Sequence, residues 1–88
     1  MDNQASKEMP KYRCIKEVHA LQIAAIENKP EDGISVLTVA EEGFEPITVD
    51  SDWRYKHEPY VGGYYVVYKD GYTSFSPEEA FAEGYMRI

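Results

Sequence analysis

A single cysteine, Cys14, leaves nothing for it to pair with inside the chain, so no intramolecular disulfide holds this fold and no oxidising compartment is implied. Basic residues are also scarce: nine Lys and Arg stand among sixteen Asp and Glu, for a net charge of −7. Polyanionic partners reward clustered cations, so direct nucleic-acid binding and an anionic membrane surface are both disfavoured. No apolar run approaches the roughly 20 residues needed to span a bilayer. The opening residues MDNQASKEMPKY are polar and do not read as a signal peptide, which points to an intracellular protein. Only His19 and His57 offer imidazoles. Internal repeats and low-complexity tracts are missing.

What is present is a small globular composition. At 88 residues and 43% hydrophobic content the chain makes one domain with a modest core. Residues 1–10 read as a loose leader and residues 11–88 as the domain. A chain this small gains buried surface by homo-oligomerisation, so self-association is an expected option. The acidic surface suits a basic protein partner or simple solubility.

Aromatics are concentrated. Five of the eight tyrosines fall between Tyr60 and Tyr72. Asp70-Gly71 lies between two aromatic runs and predicts a two-residue type I′ hairpin turn, which needs φ > 0 at both positions. That turn would set Tyr68 opposite Thr73, Val67 opposite Ser74 and Val66 opposite Phe75. Alternation then gives one face with Tyr64, Val66, Tyr68, Thr73 and Phe75, expected to be core. The other face, with Tyr65, Val67, Lys69, Tyr72 and Ser74, is expected to be half-exposed.

Elsewhere, Pro30-Glu31-Asp32-Gly33 predicts a turn, because proline fixes φ and glycine permits φ > 0. ISVLTVAE (34–41) and EPITVD (45–50) predict two strands of an antiparallel hairpin around Glu42-Gly43. Ser51 or Asp52 is placed to cap a single helical turn that Pro59 would end. Ser76-Pro77-Glu78-Glu79 reads as a capping box for a short helix stopped at Gly84, with Tyr85–Ile88 as a last strand. KYRCIKEVHALQIAAIE (11–27) fits both a strand and a helix by periodicity, and a strand over 11–23 is favoured. The fold expected is α+β, mostly β: an antiparallel sheet of four or five strands with a short C-terminal helix.

The chemistry on offer is thin. Cys14 and His19 lie five residues apart, a spacing that builds no nucleophile–base pair on a strand or a helix. Asp50, Asp52 and His57 match no tight metal motif, so neither a metal nor a cofactor is expected. Gly62-Gly63 reads as a turn or bulge rather than a phosphate loop. A non-enzymatic protein is the expectation. WRYKHEPY (53–60) is the one locally basic, aromatic segment, with Trp53 as either a core anchor or part of a contact. Trp53, Arg54, Tyr55, Lys56, Tyr65, Lys69 and Tyr72 are the candidate binding residues.

PKYRCIKEVHALQI at one end and GGYYVVYKDGYTSFSPEEAFAEGYMRI at the other resemble small proteins of tailed bacteriophages and prophages. The residues that carry the resemblance are Asp70-Gly71, Ser76-Pro77, Phe81 and Tyr85. It implies that the first segment is a strand pairing toward the C-terminal end, and that the setting is a phage genome. The resemblance further implies an accessory protein in the host cytoplasm that blocks a host defence protein, as anti-CRISPR proteins do. Two alternatives stay open: an oligomer that sequesters a nucleotide immune signal, or a small virion or assembly protein.

Overall fold

The computed structural model describes residues 9–13 and 16–88. Five strands form one antiparallel sheet: β1 (His19–Lys29), β2 (Ile34–Val39), β3 (Ile47–Asp50), β4 (Tyr64–Val67) and β5 (Thr73–Ser76). Two short helices follow β3 and β5: α1 (Ser51–His57) and α2 (Glu78–Gly84). The order across the sheet is β3-β2-β1-β4-β5, so the segment with ambiguous periodicity is its centre. The expected fold class is the one observed, with α1 a two-turn helix rather than a single turn.

The ambiguity of residues 11–27 has a physical cause. The strand begins at His19, and residues 11–13 and 16–18 lie outside any strand. Within β1, Ile23 pairs with Val39 but Ala25 pairs with Thr38, so one extra residue is accommodated as a bulge. The bulge inverts the alternation. Leu21 and Ile23 face the core before it, and Ile26 and Asn28 take that face after it, so no single period-2 reading runs through the segment. Lys29 and Ile34 close the β1–β2 hairpin over a 3₁₀ turn, Pro30–Asp32, that ends in Gly33 at φ 69°.

β1 serves two partners. Its C-terminal part pairs with β2, and its N-terminal part, His19 to Gln22, pairs with β4. Toward the C-terminal half of the chain β1 thus pairs with β4, and Tyr85–Ile88 is not a strand. Arg87 in that tail instead donates to both carboxylate oxygens of Glu41, at 2.9 and 3.1 Å. This bond holds the Glu41 carboxyl below its ordinary range.

The hairpin between β4 and β5 departs from the expected register. Gly71 has positive φ and Asp70 does not. Gly71 N–H donates to Tyr68 O at 2.9 Å and Tyr68 N–H to Tyr72 O at 2.8 Å. That pattern is a three-residue loop with a left-handed glycine, not a two-residue I′ turn. Asp70 Oδ1 accepts from Tyr72 N–H at 3.0 Å and holds the loop. Val67 therefore faces Thr73, Val66 faces Ser74 and Tyr65 faces Phe75. One residue of slip exchanges the faces of one strand relative to the other. Phe75 keeps the core face expected of it, Tyr65 joins it there, and Tyr64 and Val66 look the other way.

The main core holds Ile23, Leu37 and Val49, with Ile26, Ile47, Trp53, Tyr65 and Phe75 packed around them. On the opposite face Val66 is buried, and Tyr64 stacks on Phe81 of α2 with ring centroids 4.1 Å apart. Burying each such aliphatic side chain contributes about 1.5–3 kcal/mol. Phe75 lies so close to Gly63 that a Cβ there would sit 2.2 Å from the ring. The second glycine of the Gly62-Gly63 pair is thus a close-approach residue, while Gly62 takes φ 102°.

The helix starts differ from expectation too. Asp50, not Ser51 or Asp52, caps α1: its Oδ1 accepts from Trp53 N–H at 2.7 Å. At α2 no side chain caps the first turn, because Ser76 is spent as the last residue of β5 and Pro77 precedes the helix. Among the described residues no helix is long and apolar enough to cross a membrane.

Candidate functional site

The helical twist of α1 decides what WRYKHEPY can do. Residues four apart share a face, so Trp53 and His57 point together, and they point inward. Their rings lie 4.6 Å apart, and Trp53 also meets Tyr65 at 5.5 Å. Trp53 Nε1–H donates to Thr73 Oγ1 at 2.9 Å. This bond ties α1, which follows one edge strand, to the other edge strand. Thr48, Val49 and Asp50 of β3 and Thr73 of β5 line one cleft of about 230 Å³ around Trp53 and Tyr65, so the sheet curls until its two edges approach. Desolvation against these rings, with the charge of Lys56 beside it, holds the His57 imidazole below its ordinary pKa.

The seven expected contact residues therefore separate. Trp53 and Tyr65 are partly buried and pack against the core. Lys56, Lys69 and Tyr72 gather at the hairpin end, where Lys56 Nζ stands 5.5 Å above the Tyr72 ring. Arg54, half-exposed, and Tyr55, exposed, turn to a different surface.

That surface is a groove of about 490 Å³. Ile26 and Asn28 of β1 form one wall, and Arg54, Tyr55, Glu58, Pro59, Tyr60 and Val61 form the other. Tyr55, Tyr60 and Val61 are each more than half exposed, at 70%, 52% and 57%. Large apolar side chains left open together mark a contact surface more often than scattered ones do. Tyr60 is braced from behind by Phe75, edge-on at 5.0 Å. The Arg54 guanidinium lies 4.7 Å over the Tyr55 ring.

Two details organise the groove. Glu58 ends α1 at φ 47°, a left-handed position where glycine is the usual occupant. Asn28 is oriented from beneath: the fully buried Ser35 donates its hydroxyl to Asn28 Oδ1 at 2.7 Å. The amide NH₂ is thereby the half left to donate.

Ile26, Asn28, Glu58, Tyr60 and Val61 were not among the expected binding residues. The signal for the last two was in the sequence: an apolar pair directly after Pro59, in a segment with no strand pattern to bury it. Ile26 and Asn28 were hidden by the bulge. Cys14 lies outside the described residues, and His19 is exposed at the start of β1. Among the described residues no three His, Cys, Asp or Glu side chains converge as a metal site would require.

No protein-family model matches the sequence, and no curated protein does. Among solved structures the chain is similar to the monomeric form of the phage L decoration protein, determined in solution by NMR. The TM-score is 0.63 at 24% identity, over 81% of this chain and 52% of that one. The chain thus spans about half the length of that protein, and the likeness is one of fold.

Proposed function

We propose that this chain is a non-enzymatic structural protein of a bacteriophage, one that attaches to the virion or takes part in its assembly. The observation that carries the reading is the shared fold with a phage decoration protein across 81% of the chain. The fold itself supports it. A thin core, with four buried apolar side chains among the described residues, presents an open apolar groove, a plan suited to binding rather than to enclosing a substrate. Blockade of a host defence protein draws no support from this likeness. Nucleotide sequestration likewise draws no support from this likeness.

The test is co-sedimentation of the purified chain with particles of the phage that encodes it. Saturable binding at a fixed ratio to the coat subunit is the expected result. Failure to sediment, together with a stable complex formed with a protein from uninfected host extract, would replace this reading with host-protein blockade.

A further inference from the structure

The groove has a complement on the chain itself. Residues 9–18 hold three basic side chains, Lys11, Arg13 and Lys16, against one acidic, Glu17. From His19 onward thirteen acidic residues stand against five basic. A cationic arm therefore precedes an anionic body. The arm is exposed, Met9 at 64% and Tyr12 at 91%. It joins β1 at His19, whereas Ile26 lies seven residues further along the strand, roughly 23 Å away at about 3.3 Å per residue. The arm leaves one end of β1 and the groove opens near the other.

We propose that the arm of one copy, Pro10 to Arg13, lies in the groove of a second copy. Tyr12 packs on Tyr55 and Tyr60, a basic neighbour faces the Glu58 carboxylate, and the Asn28 NH₂ donates to an arm carbonyl. Charge complementarity selects this occupant: residues 9–18 carry three basic side chains against one acidic, and the body that carries the groove, though locally basic at Arg54 and Lys56, holds thirteen acidic residues against five basic. Arg54, the groove's own cation, is already laid over Tyr55. The contact joins different surfaces on the two copies, so it is heterologous and builds a closed ring when the rotation between copies permits. This inference goes beyond the virion reading and stands or falls separately from it.

Light scattering on a sizing column, over a range of concentrations, tests it on the full chain. The expected wild-type particle is heavier than the 10.1 kDa chain. Tyr12→Ala and Tyr55→Ala change no charge and should each weaken association by about tenfold or more, as removal of a central aromatic does at interfaces. Lys11→Glu with Arg13→Glu should do the same, while Lys69→Glu with Arg87→Glu, of equal net charge, should leave association intact. Thermal transitions of the two tyrosine variants should match wild type at dilutions where all three are monomeric, since both side chains are exposed, and fall below it where wild type is associated. A wild-type monomer at every concentration would overturn the proposal. So would tyrosine variants that associate like wild type, or a charge-matched control that dissociates as fully as the arm variant.

Discussion

The two wings of the sheet that meet at β1 are built differently. The wing of β2 and β3 is aliphatic: Leu37 is fully buried, Val49 nearly so, and Ile47 and Ile26 fill the space beside them. The wing of β4 and β5 is aromatic. Only Val66 is buried there, and Tyr64, Tyr65, Tyr68 and Phe75 remain half-exposed while touching ring to ring. Aliphatic side chains hold their wing by being removed from water. Aromatic rings hold theirs through offset and edge contacts that tolerate a wet side, each pair adding about 0.5–1.5 kcal/mol beyond area. The first wing is a core, and the second is a scaffold that can also present a surface.

The largest effect should come from the aliphatic wing. Leu37→Ala leaves a cavity where no side chain can collapse easily, and unfolding by urea should report a loss of about 2–5 kcal/mol. In the aromatic wing the most sensitive position is a glycine. Gly63→Ala drives a methyl into the Phe75 ring and against Ser76 O, at a cost of about 1–3 kcal/mol. Phe75→Leu should restore part of that loss in the double variant, which distinguishes a steric clash from a backbone effect. A deficit unchanged by the second substitution would place the strain elsewhere. The smallest effect has the opposite sign. Glu58→Gly relieves a left-handed residue at the end of α1 and should stabilise by about 0.5–1 kcal/mol.

The same contrast explains what could be read in the sequence. Turns at Pro30–Gly33 and Asp70-Gly71, the β2–β3 hairpin and the C-terminal helix followed from local chemistry. Faces in the aromatic wing did not, because an Asp-Gly pair serves both a two-residue and a three-residue loop, and one residue of slip exchanges Tyr64 for Tyr65. In β1 a bulge between Ile23 and Ala25 reverses which alternate residues face the core, so a single strand alternation fits only one side of it. The seven candidate binding residues separate in the fold for a related reason. Trp53 to Tyr60 are neighbours in sequence, but a helix turn of about 100° per residue sends Trp53 inward and Tyr55 outward.

Mass spectrometry of gradient-purified particles, from the phage that carries this coding sequence, tests the central claim most directly. The account predicts that the chain is present at a fixed, reproducible number of copies per particle. Its absence from purified particles, with the protein abundant in the infected cell extract, would contradict a virion role.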